Sequence, residues 1–272
     1  MFDSNFYING ENVLFTITII LIIISMLAFF IYSIAKKNSF GKFASGIVKI
    51  ALIVHTIAII FRGIGAQRLP LSNQYEFATA FAWGIILFYV IFEKIKKDRS
   101  LGAYVTPIAF LLIGYAAMQN KEVRPLMPAL QSGWLGIHVS MAILSYGAFA
   151  IACGLSAKYL FSKDNASGTT LTHDQLDDAS YKLVMIGYIL LTLTIITGAL
   201  WAQKAWNRYW AWDPKETWSL ITWFIYTAYL HMRRVKNLQG RKAAWFLVIG
   251  FICVIFTYIG VNTLIPSLHS YK

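Results

Sequence analysis

Six of the nine tryptophans (Trp201, Trp206, Trp210, Trp212, Trp218 and Trp223) fall in the stretch WAQKAWNRYWAWDPKETWSLITW. Indoles at a membrane surface ordinarily form an interfacial belt, with their N–H groups in water. A belt accounts for Trp83, Trp134, Trp201 and Trp245. It accounts poorly for Trp206, Tyr209, Trp210 and Trp212, which crowd into seven residues. Such a platform suits a large planar ligand, whose faces bury apolar area against rings at little ordering cost. The expected contact surface is Trp206, Trp210, Trp212, Asp213, Trp218 and Trp223. Asp213, Pro214, Lys215 and Glu216 also have the types expected at the N-cap and first turn of a helix, so Asp213 and Glu216 read equally as a cap or as part of a ligand site.

The histidines narrow the ligand. His138 follows Trp134 by four residues and His269 lies in the C-terminal tail, while His55 and His231 fall within apolar runs. Histidines in membrane helices are costly and tend to mark sites, although hydrogen-bonded packing is the common alternative. Paired as His138 with His269 and His55 with His231, they would supply axial nitrogens to two flat iron macrocycles at two depths. Basic residues near the same surface (Arg62, Arg68, Arg124, Lys204, Arg208, Lys215) are candidates for carboxylate neutralisation or lipid headgroup contact. His173, in a polar stretch, reads as a solvated loop histidine.

The elements that must position these groups are membrane helices. The chain is 58% hydrophobic and 13% charged, too apolar for a water-soluble fold of 272 residues. Its net charge of +12 comes from short basic clusters between apolar runs, so nucleic acid is not an expected partner. Cys153 and Cys253 form no CxxC or CxxCH motif and read as packing thiols. The first apolar run is too long for a cleavable signal and reads as a retained helix. Runs near 13–35, 45–65, 75–92, 101–118, 134–160, 181–203, 214–232 and 243–265 predict an all-α polytopic integral membrane bundle of about eight transmembrane helices. The whole chain, 1–272, reads as a single membrane domain, with 201–223 as its external tryptophan-rich segment.

One set of connecting segments carries Lys36, Lys37, Lys42 and Lys49; Lys94, Lys96, Lys97 and Arg99; Lys158, Lys163 and Lys182; and Arg233, Arg234, Lys236, Arg241 and Lys242. That is most of the 24 basic residues, and the positive-inside rule assigns this set to the cytoplasm. Both termini and the tryptophan-rich loop are then expected outside.

The segment WNRYWAWDPKETWSLITWFIYTAYLH resembles the tryptophan-rich WWD signature of the haem-handling proteins of cytochrome c biogenesis, with the best fit to the CcsA (ResC) type of the System II cytochrome c synthase. LPLSNQYEF at 69–77, WLGIHVSMAILSYGAF at 134–149 and GVNTLIPSLHSY at 260–271 support it. The resemblance implies a multi-pass protein of the cytoplasmic membrane that carries haem b as substrate and presents it outside for attachment to the CxxCH thiols of apocytochrome c. It further implies a CcsB/ResB-like membrane subunit, without which no holocytochrome c synthase activity is expected, and thiol-reducing proteins as partners. His138 and His269 match the external ligands and His231 the transmembrane histidine. His55 has no match, because in fused relatives the partner ligand lies in the other subunit's portion. Asn207 replaces a family glycine, and asparagine tolerates a left-handed backbone. Two other readings remain: a haem transporter without attachment activity, and a b-type cytochrome passing electrons to quinone.

Overall fold

The computed structural model describes residues 3–162 and 171–265, and among these it is all-helical. The eight expected helices are present: α1 (Ser4–Ala35), α2 (Asn38–Ala66), α3 (Gln74–Lys96), α4 (Gly102–Ala117), α5 (Gly133–Phe161), α6 (His173–Trp206), α7 (Pro214–Val235) and α8 (Gly240–Ile255). A π-helical turn (Phe256–Gly260) and a last turn (Val261–Leu264) extend α8. Six of these helices are long and apolar enough to cross a membrane. Of the other two, α4 has 16 residues, and α7 is long enough but carries the polar edges of the tryptophan-rich segment. The protein is a multi-pass membrane bundle. Helices α1 and α6 begin eight or more residues before their apolar runs, because polar residues add turns at low cost outside a bilayer.

The helices group into two compact units, α1–α4 and α5–α8. In the first, α1 and α2 pack along their lengths. Phe15, Thr18, Ile22, Ser25 and Phe29 form a buried stripe at three- and four-residue spacing on α1. Gly41, Ala44, Ser45, Ala51 and Ala58 are buried on α2, where small side chains let backbones approach.

At one end of this unit Glu76 organises a buried ionic cluster. Its carboxylate accepts from Arg62 Nε at 3.0 Å, from Arg68 Nη1 at 2.8 Å and Nη2 at 3.0 Å, and from Ser72 N at 2.9 Å and Oγ at 3.0 Å. Asn73 caps α3 by accepting from Glu76 N. Arg62 Nη1 also donates to Lys121 O at 2.7 Å, and Tyr75 OH donates to buried Glu11. The segment LPLSNQYEF is thus a turn locked by its own glutamate.

In the second unit α5 is the central helix, buried from Ser145 to Ser156. Phe149 lies flat on Tyr226 of α7, with ring centroids 3.7 Å apart and planes 3° from parallel. The same ring also reaches Gly187 of α6, where an added Cβ would lie 2.6 Å from it. Ser145 Oγ donates to Gly187 O at 2.8 Å. These contacts hold α5, α6 and α7 in register and set where α6 hands over to the tryptophan-rich loop.

Candidate functional site

The loop between α6 and α7 is held at both ends. Helix α6 stops at Trp206 because Asn207 turns left-handed, at φ 57°, while its N–H donates to Gln203 O. The asparagine therefore supplies the turn expected where a glycine is usual. At the other end Asp213 accepts from Lys215 N at 3.1 Å, with Pro214 in the first helical position. Glu216 Oε2 reaches back to Asp213 N at 3.2 Å and to Ala211 N at 2.8 Å. The cap thus extends beyond the helix into the loop. Between those two amides Trp212 also takes a left-handed backbone, φ 57°, and the residue is 69% exposed. A bulky residue in that region costs about 1–3 kcal/mol and persists only where its surroundings enforce it.

The six tryptophans separate by role. Trp201 is buried, donates from Nε1 to Ala129 O at 2.9 Å, and lies 4.8 Å from the Trp206 ring. Trp210 meets Trp212 edge to face at 5.7 Å, and its buried Nε1 has no hydrogen-bond partner. Tyr209 is exposed beside them. Trp218 packs on Phe256 at 4.4 Å. Trp223, nine residues into α7, donates to Thr192 Oγ1 at 2.9 Å and stacks on Tyr188. The structure therefore gathers Trp206, Trp210, Trp212 and Asp213 at the loop and sets Trp218 and Trp223 further along α7.

The interfacial-belt expectation fails for Trp201 and Trp83. Both spend their N–H inside the protein, Trp83 on Thr56 Oγ1 at 2.9 Å. Trp134 and Trp245 are partly exposed, as a belt requires. The expectation of a solvated His173 also fails, since it begins α6 with its ring 4.5 Å from that of Tyr159.

His138 joins the tryptophans. It is half-buried, its ring lies 6.0 Å from that of Trp201 with planes 21° apart, and its Nδ1 is 2.8 Å from Thr194 O. A carbonyl only accepts, so Nδ1 carries the hydrogen and the neutral ring keeps its lone pair on Nε2. Helix α6 makes room with Gly198, where an added Cβ would lie 2.8 Å from His138 Cε1 and Nδ1. A tautomer set by a backbone carbonyl is the usual support of a metal-ligating histidine. Among the described residues no group of three or more His, Cys, Asp or Glu could hold a bare metal ion.

The other histidines are dispersed. His231 is exposed on α7 in the second unit. His55 is fully buried on α2 in the first, and neither ring nitrogen has a hydrogen-bond partner. His269 lies outside the described residues. Among the cations proposed for carboxylates, Arg62 and Arg68 are committed to Glu76.

The model of the cytochrome C assembly protein family matches residues 71–269. CcsA cytochrome c biogenesis proteins of Prochlorococcus marinus (strain MIT 9515) and Guillardia theta are 38% and 36% identical, over 91% and 100% of this chain and 88% and 99% of theirs. This chain belongs to the CcsA family. A further CcsA, from Synechocystis sp. (strain ATCC 27184 / PCC 6803 / Kazusa), is 33% identical over 96% of this chain and 97% of its own. Among solved structures, the cytochrome c haem lyase CcmF aligns with a TM-score of 0.74 over 95% of this chain at 14% identity. The alignment covers 47% of CcmF, so this chain spans about half of that protein's length, and the likeness is one of fold. The match thus makes this chain a cytochrome c biogenesis protein. Within it, sequence reasoning missed Thr194, Gly198 and Ala129. Two of these act through backbone carbonyls and one through having no side chain, so no residue pattern announces them.

Proposed function

We propose that this protein presents haem for covalent attachment to apocytochrome c, as one subunit of a cytochrome c synthase. The observation that carries the reading is the His138 imidazole, oriented through Nδ1 by Thr194 O and stacked beside Trp201, which in turn meets Trp206. Haem b is the substrate here, held against Trp206, Trp210 and Trp212 with His138 Nε2 as one axial ligand and His269 as the other. With both axial positions filled, iron is closed to oxygen while the vinyl groups remain open. Each CxxCH thiol then adds S–H across a vinyl double bond, forming a thioether with no leaving group and no net electron transfer. The histidine of the same motif replaces one protein ligand and releases the product. The protein contributes ligation, orientation and a rigid aromatic surface; the chemistry belongs to the haem and the thiols.

The platform is assigned to the outer side of the cytoplasmic membrane on the distribution of basic residues. A CcsB/ResB-like subunit is the expected partner, with thiol-reducing proteins keeping the substrate cysteines free. His231, exposed on α7, is the ligand available to a deeper haem shared with that subunit. His55, in the first unit, is a separate candidate ligand, supported by its two unpartnered buried nitrogens.

The test is to purify the complex with its partner subunit carrying His138→Ala or His269→Ala and to record haem spectra. Loss of the bis-histidine signature and of cytochrome c maturation is expected in each. Unchanged spectra and normal maturation in both would overturn the assignment.

A further inference from the structure

The motif GVNTLIPSLHSY contains a polar residue that the reading above does not use. Asn262 is 4% exposed, and neither its Nδ2 nor its Oδ1 has a hydrogen-bond partner. A buried primary amide with both atoms unpaired is rare in native proteins, since each lost hydrogen bond goes uncompensated. Apolar residues of similar volume would fill the position without that cost.

Its surroundings are specialised. Asn262 follows the π-helical turn Phe256–Gly260, and such turns occur disproportionately at functional sites. Gly260 is required there, because an added Cβ would lie 2.5 Å from the Phe256 ring, which packs on Trp218. Helices α7 and α8 run antiparallel: Tyr229 meets Phe246, and Thr222 Oγ1 is 3.0 Å from Thr257 Oγ1. Five residues beyond Thr257, at about 1.5 Å per residue, Asn262 is level with the first turns of α7. The turn that bears it packs against α7. That is the end of α7 where Asp213 closes the tryptophan-rich loop. The same loop contains another buried donor without a hydrogen-bond partner, Trp210 Nε1. Arg208 lies in that loop and Lys215 in the first turn of α7.

We infer that Asn262 is a substrate-contacting residue whose carboxamide, together with Trp210 Nε1–H, donates to a carboxylate of the molecule held on the tryptophan-rich loop. This rests on the haem reading, in which that carboxylate is a propionate. An acceptor is the group to which both Asn262 Nδ2 and Trp210 Nε1 can donate, because an indole N–H only donates. The expected consequence is selectivity for the carboxylate over its uncharged ester, since a hydrogen bond to a charged acceptor is worth roughly twice a neutral one.

The experiment uses the full complex with its partner subunit and two probes, haem and haem dimethyl ester, titrated into protein cleared of bound haem. Wild type is expected to bind haem about tenfold more tightly than the ester. Asn262→Leu, which keeps volume, should lose about tenfold in haem affinity and only about threefold in ester affinity, so that the preference for haem falls to about threefold, and Trp210→Phe should narrow the preference likewise. Asn262→Asp should invert the preference by charge repulsion, which serves if the leucine variant fails to fold. If wild type binds neither probe, the haem reading itself fails and the inference with it. If wild type binds haem and the variants keep the wild-type haem-to-ester ratio, the haem reading survives and the role of Asn262 is overturned. Impaired maturation with that ratio unchanged would place Asn262 on the peptide side and overturn it equally.

Discussion

His138 Nδ1 and the carbonyl oxygen of Thr194 are 2.8 Å apart, joining α5 to α6 across the small gap that Gly198 leaves open. One hydrogen bond thus does two things: it sets the tautomer and fixes the ring plane near that of Trp201. Gly198→Ala is the sharpest probe, because its Cβ would sit 2.8 Å from the imidazole. In an isolated helix the change would favour folding by about 1 kcal/mol. Here it should tilt His138 off its carbonyl, lower haem retention at least several-fold and weaken the bis-histidine spectrum while the protein stays folded. Gly114→Ala on α4, where an added Cβ meets nothing within 4 Å, is the matched control and should change neither. Equal haem spectra in the two variants would show that the ring is not positioned this way.

The helices were legible because membrane-length apolar runs have almost no other solution than helix. The loop ends were legible too, since Asn207 and the Asp213–Glu216 pair act through their own side chains. What sequence hid were partners brought together by packing. Arg62 and Arg68 read as available cations until the 67–74 turn folded Glu76 beneath them. Trp201 read as a belt residue because position along a helix does not say which face meets the protein. Thr194 offers His138 only its carbonyl, and every residue type carries the same group.

Glu216 should control loop order more than helix stability. Its carboxylate holds Ala211 N and Asp213 N on either side of the left-handed Trp212. Glu216→Ala removes both acceptors, and hydrogen exchange across 207–213 should accelerate about tenfold, with a stability cost of about 1 kcal/mol, as for a lost cap. Glu216→Gln keeps an acceptor oxygen and should lie between the alanine variant and wild type. Unchanged exchange in the alanine variant would mean that Trp212 is held by other contacts.

Trp201→Phe separates stacking from hydrogen bonding. Phenylalanine preserves a ring beside His138 but withdraws the N–H that Ala129 O accepts. A loss of about 1 kcal/mol in stability is expected, with haem spectra unshifted. Trp201→Ala removes the buried ring and should cost about 3–5 kcal/mol and reduce haem retention as well. Thermal unfolding in detergent, followed by haem absorbance and by far-ultraviolet circular dichroism, distinguishes the two. Equal effects of the two substitutions would contradict a role for the ring.

Glu76 makes the opposite kind of prediction, one about folding with no direct effect on the platform. Its side chain is fully buried and answers two guanidiniums at once, with side-chain exposures of 3% for Arg62 and 10% for Arg68. Glu76→Gln keeps the shape but leaves two buried cations facing a neutral amide whose N–H groups add further donors. Breaking a buried pair from one side costs about 3–5 kcal/mol, so the variant should unfold at markedly lower temperature or denaturant concentration. Lys182 and Asp178 form an ion pair with side chains 60% and 53% exposed, and Lys182→Ala should cost under about 1 kcal/mol. The measurement is unfolding of each variant in the same detergent. Equal midpoints for the two would mean that the Glu76 cluster is solvated and does not anchor the first unit. If Glu76→Gln lowers the midpoint while Arg62→Gln in the same background restores part of it, the cost lies in the excess buried positive charge, because removing one guanidinium relieves what removing the carboxylate imposed.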